Sequence, residues 1–373
     1  MAAPRMSATA KTGLTTEPTA SDPHRYQTGF GNRFASEAIP NVLPIGCNVP
    51  QRIKYDLYSE QLNGAAVITP RHAIQHVWMY RVRPSVAHGK VSPSDTNPLI
   101  ESCFSKVNRN VEFVASQQAW DPFPLPEPHG TNSGDQGTNF VQGIRTIGGQ
   151  GDPTLQEGIA IHIYSADASM DRSAFCNNDG DFLVLPQKGR LEIQTELGWL
   201  MAHPGELVVI QAGIRFRVLL PDGPSRGYIQ EIFGGHYDLP ELGPVGSNGM
   251  ALPRDFLSPV ASFDIDESRW SITCKLAGSL HSYEQNHTPF DVVAWHGNLV
   301  PFKYDIERFV NMVNANKDQA DPTIYCVLTA KSKTPGVSLT DFLVFTKKWI
   351  TAADTFRPPY YHRNMSTEVM GLI

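Results

Sequence analysis

Apolar residues in this chain fall into short runs bounded by glycine or proline, and within several runs they alternate with polar ones. Runs rich in β-branched and aromatic residues at 65–69, 76–82, 159–164, 182–186, 191–195, 205–213, 289–295, 323–329 and 341–345 predict β-strands. From 159 to about 232 they recur at roughly eight-to-twelve-residue intervals with a glycine at each corner, the rhythm of an antiparallel sandwich or barrel. Residues 120–158 predict one long connection of low strand propensity, and loops of that length inside a compact protein tend to be functional. The GGQG at 148–151 lacks the following Lys-Ser/Thr and the helix that a phosphate-binding loop requires, which excludes that reading. From Tyr26 the text YQTGFGNRFASEAIPNVLPIGCNVPQ predicts an irregular arm anchored on a body by Phe30 and Phe34.

Composition sharpens this picture. The 373 residues include 30 Gly and 29 Pro, a supply of turn formers that suits many short strands better than long helices. The net charge of −6 argues against a nucleic-acid or anionic-membrane surface, and no apolar run reaches the ~18 residues of a membrane span. Cys47, Cys103, Cys176, Cys274 and Cys326 are widely separated and form no CxxC, so they read as reduced thiols of a cytoplasmic protein. Residues 1–24, rich in Ala, Thr, Ser and Pro, read as a disordered tail.

Candidate chemistry concentrates near the end. His362 and Glu368 are six apart. A continuous strand would hold them ~20 Å apart. A helix would leave them ~9 Å apart along its axis and turned away from each other. They can share one metal ion only if the chain doubles back, and Asn364 and Ser366 are suited to that turn. One imidazole and one carboxylate are two thirds of the ligand set that suits non-haem Fe(II); the plain alternative is a turn-capping His and a solvated Glu. His296 stands at the end of an apolar run just before Gly297-Asn298, where a strand would fix it and a turn expose it; the alternative is a satisfied core imidazole. His72, His76 and His88 lie close together but have no carboxylate in register, and read as ordinary histidines.

Two resemblances add to these readings. GELVVIQAGIRF, from Gly205 to Phe216, resembles the second motif of the cupin barrel, except that Phe216 stands where that family has a metal-binding His. The first motif, around Asn178-Asp179-Gly180, has no His pair, so this barrel is expected to be structural and metal-free. YQTGFGNRFASE, YSEQLNGAA, PFDVVAWHGNLVPFKYD and RPPYYHRNMSTEVMGLI together resemble the homogentisate 1,2-dioxygenase family from Tyr26 to Ile373.

The resemblance implies an all-β, cupin-like sandwich or barrel with an irregular N-terminal arm and an incomplete C-terminal barrel. On that reading 1–24 is a tail, 25–285 the N-terminal β-sandwich domain, and 286–373 the start of an iron-binding cupin domain. It implies cleavage of homogentisate by O2 to 4-maleylacetoacetate, in phenylalanine and tyrosine catabolism, on one Fe(II) held by His362 and Glu368. His296 would be the base near a substrate hydroxyl, Asn364 would orient substrate, and Arg357 would face an anionic group. A homo-oligomer, a hexamer of two stacked trimers, is implied as well. The family pattern continues past MGLI with a third His ligand and a Tyr. A polypeptide ending at Ile373 is therefore expected to be a shortened form with little or no activity. Competing expectations are a catalytically silent cupin-like scaffold or binding protein, and a cupin isomerase or decarboxylase using Mn or Zn.

Overall fold

The computed structural model describes residues 9–10, 15–46, 51–126, 137–240, 251–309, 326–344, 363–364 and 366–371. Among them the chain is almost entirely β, with helix only as short 3-10 turns. The strands make four open sheets, and none closes into a barrel.

An eight-stranded sheet runs Tyr26–Thr28, Leu257–Pro259, Phe302–Asp305, Glu206–Ile210, Phe182–Lys188, Ser225–Phe233, Glu157–Ala166, Ile144–Asp152. A seven-stranded sheet faces it, in the order Gly198–Ala202, Leu191–Thr195, Arg215–Leu219, Ser173–Asn177, Trp270–Leu276, Ser279–Gln285, Ser92–Pro93. Its pairing of Trp270–Leu276 with Ser173–Asn177 is parallel. The third sheet has five strands: Thr9–Ala10, Phe34–Glu37, Val292–Gly297, His76–Arg81 and Tyr58–Asn63. Cys326–Lys331 and Ser338–Leu343 form a separate hairpin.

The two-residue period of strands explains where the cores lie. In FLVL, Phe182 and Val184 join the main core, with Phe175 and Phe216 of the seven-stranded sheet and Val77, Met79 and Trp295 of the five-stranded one. Leu183 and Leu185 point the other way, into a second core closed by Phe302, Tyr304, Val327, Leu328 and Phe342. A strand buried on both faces reads as a continuous apolar run, which is how this one appears in the sequence.

Several expectations change. Residues 65–69 form a turn closed by Thr69 N–H to the Ala66 carbonyl, with Val67 and Ile68 91% and 94% exposed, so β-branched composition misleads there. The supposed connection 120–158 holds a strand, Ile144–Asp152, that pairs with Glu157–Ala166 and includes the glycine-rich stretch. The N-terminal arm is woven into the sheets: Tyr26–Thr28 and Phe34–Glu37 are strands, and Phe30 packs edge-on against Phe256 and Phe302. Sheet hydrogen bonding also crosses position 286, because Val292–Gly297 and Phe302–Asp305 are strands of the sheets already described. The hairpin 326–343 covers the outer face of the eight-stranded sheet; among the described residues it is not part of a second barrel.

Candidate active site

The five-stranded sheet has two unlike faces. Val77, Met79 and Trp295 go to the core, and the Trp295 indole N–H donates to the Leu197 carbonyl at 2.8 Å. Alternation therefore puts His296 on the opposite face, where register sets it across from Ala35 on one side and Trp78 on the other. His76 and Tyr80 share the Trp78 face by the same period, and Arg33 shares the Ala35 face. The Tyr80 hydroxyl lies 3.2 Å from His296 Nε2, with the two rings stacked.

Gly297 lets the strands come this close. Its φ is +154°, and a Cβ there would lie 2.3 Å from the His76 carbonyl oxygen. Asn298 completes the corner, accepting the His76 N–H at 3.1 Å and donating to the Ile74 carbonyl at 2.9 Å. His296 is thus fixed by its own strand, the neighbouring strand and the turn after it.

Over this face lies a cleft of about 480 Å³, lined by Arg33, Phe34, Ala35, Leu43, Pro44, Ile45, His296 and Gly297. That size and mixture, apolar walls with a few polar groups, suits a small organic ligand. The Glu37 carboxylate organises the wall by accepting the Asn41 and Leu43 N–H groups at 2.8 and 2.7 Å. Partial burial, then the neighbouring His76 and Arg33, hold the His296 pKa below its usual value. His76 is lowered by burial and Arg33, and burial raises Tyr80. At neutral pH His296 is therefore an uncharged imidazole able to accept a proton.

Of the other residues expected from sequence, Asn364 and Glu368 are exposed and in contact, the Asn364 amide donating to Glu368 Oε1. His362 and Arg357 lie outside the described residues. The cleft lining includes neither Asn364 nor Glu368, and among the described residues no three His, Cys, Asp or Glu side chains are grouped to hold a metal ion. Phe216, at the place of a cupin metal ligand, is a core aromatic, edge-on to Phe140 and Phe175. Arg33, His76 and Tyr80 were not singled out as site residues by sequence reasoning. The alternation His76, Trp78, Tyr80 against Val77, Met79, Arg81 was the available signal for two of them.

Comparison with known proteins decides the family. Residues 25–306 match the family model "Homogentisate 1,2-dioxygenase N-terminal" and 307–373 match "Homogentisate 1,2-dioxygenase C-terminal". The chain belongs to the homogentisate 1,2-dioxygenase family. It is 46% identical over 354 residues to the homogentisate 1,2-dioxygenase of Emericella nidulans, covering 94% of this chain and 76% of that one. It is 47% identical to the Dictyostelium discoideum enzyme, covering 94% and 78%, and 47% identical to that of Drosophila melanogaster, again covering 94% and 78%. Among solved structures, a cupin 2 conserved barrel domain protein from Leptotrichia buccalis aligns at 12% identity and a TM-score of 0.20, covering 43% of this chain and 85% of that one. Overlap that low bears no weight here. As a member of this family the chain is a dioxygenase.

Proposed function

We propose that this chain is an Fe(II)-dependent dioxygenase that opens the ring of homogentisate with O2 to give 4-maleylacetoacetate, in the catabolism of phenylalanine and tyrosine. The observation that carries the proposal is sequence identity of 46–47% with homogentisate 1,2-dioxygenases across nearly the whole chain. An open cleft of about 480 Å³ lined in part by His296, whose pKa is held below its usual value, supports the reading.

The chain's own residues divide the work. Leu43, Pro44 and Ile45 offer apolar surface on which the ring can lie. His296 takes the phenolic proton onto its unprotonated ring nitrogen and returns it later in the cycle. His362 and Glu368 would hold the iron, since an imidazole and a carboxylate are the donor chemistry that Fe(II) accepts. Asn364 would orient bound substrate, and its amide also donates to Glu368. Held by His362 and Glu368, Fe(II) would supply Lewis-acid and oxygen-activating chemistry. The cytoplasm is the proposed location and a hexamer of two stacked trimers the proposed assembly, both supported by the family resemblance. The two halves of the chain are better divided near 306 than at 286, a reading supported by the strand pairing across 286 and by the two matched ranges.

Oxygen uptake by the Fe(II)-loaded protein supplied with homogentisate tests the proposal, with the product identified by mass. We expect one O2 consumed per homogentisate, and loss of uptake in His362→Ala and Glu368→Ala. Uptake that survives both substitutions, or a protein that neither binds nor consumes homogentisate, overturns it.

A further inference from the structure

We propose that Arg33 is a specificity-determining residue of the cleft: its guanidinium receives the carboxylate of an aryl-acetate substrate while the ring lies toward His296. The inference deepens the reading above and rests on it.

Arg33 stands one residue before the strand Phe34–Glu37, on the same face as Ala35, and Ala35 is the register partner of His296. Arg33 and His296 line the same cleft, with Leu43, Pro44 and Ile45 as its apolar wall. A cation, an uncharged imidazole and an apolar wall match a ligand with a carboxylate, a hydroxyl and a flat ring. The electrostatics of the neighbourhood agree with such proximity, since the charge of Arg33 is felt at both His76 and His296.

Arg33 also differs in its partner from the arginines that pair with carboxylates, a trait it shares with Arg217 and Arg226. Arg81, Arg190 and Arg215 each lie within 3.1 Å of a carboxylate. Arg33 instead makes one long contact, 3.4 Å from Nη1 to His76 Nε2, and among the described residues no carboxylate pairs with it. A guanidinium has five N–H donors in a planar fork, so most of its capacity for a bidentate carboxylate remains available. Because Arg33 is exposed, the pairing costs little desolvation of buried charge.

Calorimetric titration under anaerobic conditions, with the full chain, compares homogentisate with methylhydroquinone, which keeps the dihydroxy ring and lacks the carboxylate. In Arg33→Gln we expect homogentisate to bind about three- to fivefold more weakly, the upper range for an exposed ion pair. Methylhydroquinone should change by less than about twofold, and Arg33→Lys should fall between the wild-type protein and Arg33→Gln for homogentisate. Circular dichroism confirms that each variant is folded. Homogentisate affinity unchanged in Arg33→Gln, or equal weakening of both ligands, overturns the inference while leaving the proposed function standing. A wild-type protein that binds neither ligand overturns the proposed function itself, and this assignment with it.

Discussion

His296 occupies a place where small electrostatic effects change chemistry. Its imidazole must be uncharged to accept a phenolic proton, and burial, His76 and Arg33 all favour the uncharged form. Replacing it with Gln should lower kcat by about 10²- to 10⁴-fold, the usual contribution of a positioned base, while homogentisate binding in a titration changes little. The pH profile follows from the direction of the shift. Because the folded pKa lies below the ordinary ~6.5, kcat/KM should hold steady as pH falls through that value and decline only below it. Arg33→Gln removes one of the depressing charges, so the acid limb of that profile should move to higher pH. His296 stands out in the sequence as a candidate because an apolar run delivers it to a turn. The meeting of Arg33 and His76 with His296 does not, because it comes from pairing between strands distant in the chain, which local spacing does not record.

At the scale of elements, the corner after His296 depends on one backbone. Gly297→Ala would push a methyl group into the His76 carbonyl, 2.3 Å away, and backbone cannot yield as a flexible side chain can. We expect a loss of about 2–4 kcal/mol in urea unfolding, together with lowered turnover, since the same shift displaces His296. Strands buried on alternating or double faces, such as Phe182–Lys188 and Leu191–Thr195, were readable because side-chain period and burial agree there. Ile144–Asp152 was not, because its glycines have low strand propensity; Gly149 is needed where a Cβ would come within 2.2 Å of the Phe104 ring. The turn after Tyr58–Asn63 is tied down differently. His236 Nδ1 lies 2.9 Å from Asp181 Oδ1, and its Nε2 donates to the Gly64 carbonyl at 2.9 Å. Burial alone would depress His236, but the Asp181 charge and both hydrogen bonds outweigh it and raise the pKa to about 9. A raised folded pKa means that this contribution is complete below the unfolded value near ~6.5 and lost as pH climbs through about 9. Asp181→Asn should therefore lower the urea midpoint at pH 6, with the gap to the wild-type protein narrowing by pH 9.5; the effect is of the order of 3 kcal/mol at most.

Across the whole molecule, the two large sheets are joined by apolar packing and also by a buried set of charges. Lys275, from the seven-stranded sheet, places Nζ 2.7 Å from Asp179 Oδ2 and 2.7 Å from Glu231 Oε1, and Glu231 belongs to the eight-stranded sheet. Glu231 also accepts from the Asn177 amide at 2.7 Å and lies 3.1 Å from His162 Nε2, while Asp179 accepts the Ala277 and Gly278 N–H groups. Gly180, beside Asp179, allows the loop to touch the opposite sheet, since a Cβ there would lie 1.5 Å from the Ile232 carbonyl oxygen. Burial by itself would raise the Glu231 pKa, yet Lys275 and His162 bring it down to about 2. The stability from this group is thus present above the ordinary carboxylate range and lost as pH falls toward about 2. Lys275→Met removes the cation but keeps most of the volume, leaving two carboxylates in the interior without their shared counter-charge. The expected loss is about 3–5 kcal/mol near neutral pH, and the acid limb of the stability curve should move to higher pH as Glu231 regains a raised pKa. Adding Glu231→Gln should recover part of that loss, because a neutral amide needs no counter-charge. Urea unfolding of the single and double variants between pH 3 and pH 8 measures both effects. A double variant no more stable than Lys275→Met alone would place the cost in lost packing of the lysine stem, and the pairing across the sheets would then contribute little.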